Sequence, residues 1–201
     1  MTVVVIVAIS PISPISPIAG ISPIAPIATL GAGSYVLCFR LDEVGQAVNQ
    51  EMTEKIWKPN VVVAAVIEDD GRFLLVEEET EDGLRYNQPA GHLEKGESLL
   101  DAVRREVFEE TAHHFDPTEL LGVYKWPHPT KDLTYLRFSF TGVVGGFDPT
   151  ARLDEGIVRA VWLTRDEIAA SQVRHRSPFV LRCVDDYLAG RRFPLDLLTE
   201  Y

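Results

Sequence analysis

The stretch GHLEKGESLLDAVRREVFEETAH, residues 91–113, decides the fold of this chain. Its second half has the period of an α-helix, because apolar residues recur at i, i+3 and i+7 from Leu100. Ser98 with Asp101 three residues later predicts the N-terminal cap, with Asp where most capping boxes have Glu or Gln. The stretch therefore predicts a loop that leads into a helix.

Three glutamates, Glu106, Glu109 and Glu110, lie on one face of this predicted helix beside the apolar stripe. Like charges at this spacing repel each other by about 0.2–0.5 kcal/mol per pair in an isolated helix. A divalent cation bound by the carboxylate oxygens removes that repulsion, so the spacing is compatible with a metal site, although on the spacing alone a solvated face is favoured. A solvated acidic face is the simpler alternative, and the neighbouring residues decide between the two.

The charged residues around these glutamates resemble the Nudix box, G-x5-E-x7-R-E-U-x-E-E-x-G-U, in which U is apolar. Gly91, Glu97 and Arg105 stand at the required spacing before the three glutamates. Two positions depart from the pattern, because Ala112 replaces the second glycine and His113 the last apolar residue. Glycine there suits a helix C-cap with positive φ, so alanine is expected to strain the turn by about 1 kcal/mol without removing a ligand.

The resemblance covers roughly residues 58–196 and implies an α/β fold, an α/β/α sandwich with a mixed β-sheet. Members of the family hydrolyse a nucleoside diphosphate linked to another group, with Mg²⁺ or a similar cation such as Mn²⁺. By position in the motif, the expected metal ligands are Glu106, Glu109, Glu110 and the carbonyl of Gly91. Glu106 or Glu109 is also the expected activator of the attacking water.

The resemblance gives supporting roles to two further residues of the motif. Arg105 is expected to orient a ligand carboxylate, and Glu97 to support the loop or the metal shell. Some family members take the catalytic carboxylate from a distant loop, where this chain has Asp132, Asp154 and Glu155. A solvated surface acid is the favoured interpretation of each of those three.

Outside the motif, three groups of side chains are candidates for ligand contacts. Trp126 and His128 border a proline-rich loop and are able to stack on a base or pyrimidine ring, with core packing as the alternative. The basic run at 174–176 suits a phosphate, although a solvated turn is slightly favoured. The adjacent His113 and His114 cannot both face one metal on a helix, which favours a surface pair.

The pattern from residue 61 onward interleaves strands and helices, which predicts an α/β domain with a mixed sheet. A hairpin is predicted at residues 61–79 around the turn signal Asp70-Gly71. Polar residues 77–82 predict a connection, and alternation over 134–144 predicts a half-buried strand that ends at Gly145-Gly146. Residues 86–91 predict a short strand that Pro89 ends and that leads into a loop. Further strands are predicted at 120–126 and 157–163, with helices after the Thr164 cap and at 178–188.

Residues 1–51 differ from the rest, because the first charged side chain is Arg40 and prolines recur at three-residue spacing. Such spacing prevents both a helix and a central strand, and the apolar runs are too short to cross a membrane. We predict a low-complexity, disordered extension at 1–51 and a Nudix domain at 52–201. Met52 is a plausible alternative start.

The overall charge and the cysteines limit the classes of function. A net charge of −11 argues against a general nucleic-acid binder, which needs a basic face. Two cysteines far apart in sequence, Cys38 and Cys183, indicate free thiols in a reducing compartment. We therefore expect a cytoplasmic monomer that acts on a small-molecule substrate, with no nucleic-acid or membrane partner.

Several segments, among them YNQPAGHLEKGE, KWPHP and RRFPLD, further resemble a bacterial phosphatase subgroup of the Nudix family. That resemblance implies hydrolysis of nucleoside di- and triphosphates and of hydroxymethylpyrimidine pyrophosphate. Within the family, ADP-ribose or dinucleoside polyphosphate hydrolysis is the alternative, because residues outside the motif select the group attached to the diphosphate. A non-catalytic binding module is the alternative outside enzymes, and the retained carboxylates argue against it.

Overall fold

The computed structural model describes residues 57–199 and, before them, the course of three short strands. These are β1 (Val7–Ile9), β2 (Pro26–Leu30) and β3 (Ser34–Leu37), which form an antiparallel sheet in the order β1-β3-β2. Pro26 stands first in its strand, a position that tolerates proline. The rest of the predicted disordered extension and the boundary at 51/52 lie outside the described residues, so both stay predictions.

The chain divides into two compact units, residues 1–57 and 58–201. The strands of the second unit are β4 (Asn60–Val66), β5 (Glu68–Asp69), β6 (Arg72–Thr80), β7 (Gly83–Asn87), β8 (Ala90–His92), β9 (His113–Pro127), β10 (Thr134–Phe147), β11 (Ile157–Thr164) and β12 (Phe193–Pro194). Its helices are α1 (Leu99–Thr111), α2 (Arg165–Ala170) and α3 (Phe179–Leu188), with 3-10 turns at Gln172–Arg174 and Leu195–Leu197.

The second unit is built on a mixed sheet in the order β12-β9-β10-β4-β8, as predicted. Strand β10 pairs with β4 in parallel, and the other pairings in this sheet are antiparallel. A second sheet has the order β11-β6-β5, with β7 also paired to β6. Side chains on the two faces of β4 pack into two separate cores. Val63 packs with α1, whereas Val66 on the other face packs with α3.

The local signals in the sequence are confirmed by the backbone. Asp70 and Gly71 have φ values of 47° and 75°, the pair of positive angles that a two-residue hairpin turn requires. Ser98 caps α1 by accepting a hydrogen bond of 3.0 Å from the Asp101 N–H. Thr164 forms the predicted capping box with Glu167 at the start of α2.

The predicted ends of the long strands are wrong. Strand β9 begins at His113, because its first residues pair with the far end of β10, where Phe147 lies opposite His113. Strand β10 therefore continues through Gly145-Gly146. Strand β6 extends to Thr80, so the first four residues of the predicted polar connection, 77–80, belong to the strand.

The middle of strand β10, residues 137–141, is also not half-buried as predicted, because both of its faces are covered there. Phe140 is buried on the α1 side, while Arg137 and Ser139 on the opposite face are only 4% and 0% exposed. The Ser139 hydroxyl lies 3.7 Å from the sulfur of Cys183 in α3, a buried free thiol. Among the described residues, no helix is both long and apolar enough to span a membrane.

Candidate active site

Strand β8 brings the loop of the motif against α1. Gly91 lies opposite Val63 of β4, and its backbone passes so close to α1 that a Cβ atom there would overlap the Glu106 carboxylate. The Ala90 N–H donates a hydrogen bond of 2.9 Å to Glu110. A side chain at position 91 would displace the Glu106 carboxylate from its place, so glycine allows the loop and the helix to approach as they do.

Arg105 is the centre of the carboxylate cluster. Its Nη1 donates to Glu106 at 2.8 Å and to Glu109 at 3.0 Å. Its Nε and Nη2 donate to the two oxygens of Glu97 at 3.1 and 2.7 Å, and Nη2 also reaches the His92 carbonyl at 3.1 Å. The structure thus brings together every charged residue of the predicted motif, with Arg105 orienting more than one carboxylate.

Glu97 is the best compensated of these carboxylates. Besides the two bonds from Arg105, it accepts a hydrogen bond of 2.7 Å from the Glu94 N–H. Its hydrogen bonds from Arg105 hold its pKa below the usual value for glutamate. Glu97 therefore fixes Arg105 and the loop between β8 and α1, in agreement with its predicted supporting role.

Glu106 and Glu110 are in the opposite situation, because both are buried. Their exposed fractions are 7% and 9%, and burial raises the pKa of Glu106 despite the bond from Arg105. Burial, followed by the negative charges of Glu106, Glu78 and Asp154, raises the pKa of Glu110 to about 8. Glu109 is more accessible, with a side chain that is 36% exposed.

The carboxylates fit a divalent cation in chemistry and in charge. They present hard oxygen ligands beside the backbone of Gly91. Among the described residues no arginine or lysine forms an ion pair with the buried Glu110, although the charge of the buried Arg137 acts on it, and burial favours uptake of a proton or a metal there. Within residues 57–199, no three acidic, histidine or cysteine side chains are already arranged as a closed site. Oxygens of Glu97, Glu106 and Glu109 are bonded to Arg105 instead, which keeps these carboxylates from forming a closed metal site by themselves.

Of the three distant acids, Asp154 alone is coupled to the cluster among the described residues. Its N–H donates a hydrogen bond of 2.9 Å to the Glu109 carbonyl, and its charge contributes to the raised pKa values of Glu106 and Glu110. Asp132 and Glu155 are exposed loop residues. Asp154 is therefore the candidate that the structure favours for a carboxylate from outside the helix.

The sequence interpretation missed a buried polar layer next to the cluster. Arg137 donates hydrogen bonds to Gln88 at 2.8 Å, Ser139 at 3.2 Å and Asn87 at 3.4 Å. Burial raises the pKa of Glu78, whose charge also acts on Glu110. The alternation of β10 was the available signal, but it cannot reveal that α3 covers the polar face.

The remaining basic candidates have mostly structural partners. The imidazole Nδ1 of His113 lies 2.9 Å from the Thr111 carbonyl, and His114 stacks on Phe108 at 5.0 Å. Both belong to β9 rather than to a helix. Arg174 forms a short ion pair with Glu77 and covers the Tyr86 ring. Of the basic run at 174–176, Arg174 is thus engaged by Glu77 and Tyr86, and the Nε2 of His175 lies 2.9 Å from the Ile168 carbonyl. Arg176 lines the cavity described next.

Trp126 and His128 line a cavity of about 650 Å³ together with Arg176. The two rings are 5.2 Å apart, and Trp126 also packs against Tyr135 and Phe179. Trp126 thus packs against the core on one side and faces the cavity on the other, so core packing is observed and stacking on a ring stays a prediction.

Comparison with known proteins identifies the family to which the chain is similar. A family model described as the NUDIX domain matches residues 57–183. Phosphatase NudJ of Escherichia coli K12 is 36% identical over 146 residues, which cover 73% of this chain and 94% of that protein. A solved structure of a NUDIX hydrolase from Nitrosomonas europaea is 55% identical, with a TM-score of 0.70, and covers 72% of this chain and 98% of the solved one.

The fold is also shared with more distant proteins. A MutT NUDIX hydrolase from Burkholderia pseudomallei is 19% identical, with a TM-score of 0.56 over 65% of this chain and 98% of its own. At that identity the likeness concerns the fold alone.

Proposed function

Because the chain belongs to the NUDIX family and is a hydrolase of that family, we propose that it hydrolyses pyrophosphate bonds with Mg²⁺. The proposed substrates are nucleoside di- and triphosphates and hydroxymethylpyrimidine pyrophosphate. The likeness to Phosphatase NudJ supports this choice, since it spans nearly the whole of that protein. Mn²⁺ is an expected substitute for Mg²⁺.

The observation that carries the proposal is the charge imbalance of the cluster. Three carboxylates, Glu97, Glu106 and Glu109, pair with one guanidinium, and the buried Glu110 beside them forms no ion pair among the described residues. A bound divalent cation supplies positive charge for the carboxylates and for the pyrophosphate of the substrate. The proposed ligands are the three helix glutamates and the Gly91 carbonyl.

Arg105, Glu109 and Asp154 have proposed roles beside that of the metal. Arg105, held by Glu97 from behind, fixes the orientation of Glu106 and Glu109. Glu109 is the more exposed of the two candidate bases, so it is placed to accept the proton of the attacking water at a carboxylate oxygen. Asp154 is the candidate for the same task from the loop before β11.

The expected location and state of the enzyme follow from the same interpretation. We propose a cytoplasmic monomer that acts on small molecules, with Cys183 reduced inside the core. The net charge of −11 disfavours binding to a polyanion such as a nucleic acid. A cation bound at the cluster would supply local positive charge for a phosphorylated substrate.

Phosphate release by the full chain with Mg²⁺ tests the function. The substrate panel contains nucleoside di- and triphosphates, ADP-ribose, a diadenosine polyphosphate and hydroxymethylpyrimidine pyrophosphate. Orthophosphate from the nucleotides and the pyrimidine, lost in Glu109→Gln and retained in Glu81→Gln, is the expected result. Glu81 is a matched control, because its side chain is 89% exposed and pairs only with Lys131.

The other outcomes identify what is wrong with the proposal. AMP from ADP-ribose, without phosphate from the nucleotides, assigns the chain to a different activity of the family. Turnover that Glu109→Gln leaves unchanged contradicts the catalytic assignment. Absence of turnover with every substrate favours a binding module.

A further inference from the structure

An open cavity beside Trp126 is a feature that the carboxylate cluster does not explain. It lies between the loop that joins β9 to β10 and the segment before α3, and its volume of about 650 Å³ is in the range of small-molecule sites. One wall carries the rings of Trp126 and His128, and the other carries Arg176 and Ser177. Aromatic and cationic groups thus face one space.

The Trp126 ring forms a rigid wall of this cavity. Tyr135 stacks nearly parallel to it, with centroids 5.9 Å apart and planes at 21°, and Phe179 meets it edge-on at 6.1 Å. Packing on two sides holds the indole in place while its third side lines the cavity. A fixed aromatic surface of this kind suits stacking with a planar ring.

His128 presents a hydrogen-bond donor to the same space. Its Nδ1 accepts from the N–H groups of Thr130 at 3.3 Å and Lys131 at 3.2 Å. Because both backbone groups donate to Nδ1, the ring proton of the neutral imidazole is carried by Nε2. Among the described residues, Nε2 has no hydrogen-bond partner, so this donor is available to a ligand in the cavity.

Arg176 connects the cavity to the carboxylate cluster. Its side chain is 49% exposed, and its nearest carboxylate, Glu78, lies 3.7 Å away. Its N–H donates a hydrogen bond of 2.9 Å to the Tyr86 carbonyl, in the segment that runs directly to Ala90 and Gly91. Glu78, which faces this guanidinium, also acts through its charge on Glu110, so Arg176 is related to the proposed metal ligands through one carboxylate.

We propose that this cavity binds the ring of the substrate, a pyrimidine-type heterocycle attached to a phosphate. The ring stacks on Trp126, a ring oxygen or nitrogen accepts from His128 Nε2, and Arg176 contacts the phosphate nearest the ring. This inference rests on the proposed function, since it names the part of the chain that selects the group attached to the diphosphate.

The test compares a substrate that has a ring with one that lacks it. The probes are cytidine diphosphate and an alkyl diphosphate, hydrolysed by the full chain with Mg²⁺. Trp126→Leu is expected to raise KM about tenfold or more for cytidine diphosphate and to leave KM for the alkyl diphosphate within about twofold. Trp126→Phe retains a stacking surface and is expected to recover KM to within about threefold of wild type.

Two surface variants keep the test valid if Trp126→Leu folds poorly. His128→Phe retains an aromatic ring without the donor and is expected to raise KM for cytidine diphosphate alone, by about fivefold. Arg176→Gln is expected to raise KM for both substrates. Arg104→Gln, at a similarly exposed arginine that pairs with Asp116 outside the cavity, is the matched control with unchanged constants.

A binding measurement separates this inference from the proposed function. Cytidine monophosphate without metal is expected to quench the fluorescence of the wild type, and Trp126→Phe is expected to abolish that quenching. An equal KM for cytidine diphosphate in wild type and Trp126→Leu overturns the cavity assignment while hydrolysis itself stands. If no substrate is hydrolysed, the proposed function fails, and the quenching alone supports or overturns the cavity as a ring-binding site.

Discussion

The two ends of the carboxylate cluster differ in the source of their compensating charge. At one end, Glu97 receives two hydrogen bonds from Arg105, and its pKa lies below the usual value. At the other end, Glu110 receives one hydrogen bond, from the neutral Ala90 N–H, and its pKa is raised to about 8. Glu97, just before α1, is thus a compensated carboxylate, whereas Glu110, in the last turn of α1, is not.

This difference indicates which part of the cluster is structural and which part awaits a ligand. An arginine that the chain supplies stabilises the Glu97 end permanently. The Glu110 end is stabilised either by a proton or by a cation from solution, because a buried and unpaired charge is unfavourable. Variants at the two ends should therefore have opposite effects on stability.

The largest effect is expected from Glu110→Gln. The amide removes a proposed metal ligand, so kcat should fall at least about a hundredfold. The same change replaces a buried charge by a neutral group of similar shape, so the metal-free protein should melt at a higher temperature at pH 8.5. Steady-state kinetics and thermal unfolding in the presence of a chelator measure the two effects. A variant that is both inactive and less stable at pH 8.5 would contradict the assigned charge imbalance.

The pH dependence of stability sharpens the comparison. The folded-state pKa of Glu110, about 8, lies above the ordinary value of 4.5 for glutamate, so the folded protein retains a proton that the unfolded chain loses. The metal-free protein should therefore lose stability as pH rises from about 4.5 to 8, by a few kcal/mol at about 1.4 kcal/mol per pKa unit. Denaturant unfolding at several pH values measures this loss. Glu110→Gln should flatten the curve, and an unchanged slope in the variant would refute the origin of the effect.

A smaller effect is expected at the satisfied end. Glu97→Gln removes the charge partner that holds Arg105, so stability at pH 7 should fall by about 1–2 kcal/mol. The kcat value should fall about tenfold, because Arg105 keeps its bonds to Glu106 and Glu109. Denaturant unfolding and steady-state kinetics test both numbers. Glu97→Gln with a kcat loss as large as that of Glu110→Gln would remove the distinction between the two ends.

The smallest effect concerns the turn after α1. Ala112 has φ of 58° and closes the helix in the left-handed region, where alanine is strained. Ala112→Gly relieves this strain and should stabilise the protein by about 1 kcal/mol or less, with kcat and KM unchanged. Thermal unfolding measures the gain. A destabilised Ala112→Gly would show that packing of the buried methyl group outweighs the backbone strain.

The contrast between the two ends also marks the limit of prediction from sequence. The motif, the Ser98 cap and the Asp70-Gly71 turn depend on residues close in sequence, and each was predicted correctly. The far ends of β9 and β10 were missed, because strand length depends on pairing between residues distant in the chain. Motif spacing placed Glu97 and Glu110 in one cluster without showing how differently they are compensated.

The missed residues have the same physical explanation. Arg137 follows the alternation of a solvated strand face, yet α3 returns from far along the chain to cover it. Glu78 is one of three consecutive glutamates in β6, and its sequence neighbours give no sign that its charge acts on Glu110. Burial and long-range charge are properties of the folded chain, so local pattern could identify the motif but not these contributors.

The most direct test is calorimetric titration of the full chain with Mg²⁺ near pH 7, in two buffers of different ionisation enthalpy. If the cation replaces the proton on Glu110, binding should release close to one proton and should become tighter as pH rises towards 8. Glu110→Gln should bind Mg²⁺ at least about tenfold more weakly and release no proton. Absence of Mg²⁺ binding to the wild type, or equal affinity and proton release in both proteins, would contradict the cluster as a divalent-cation site.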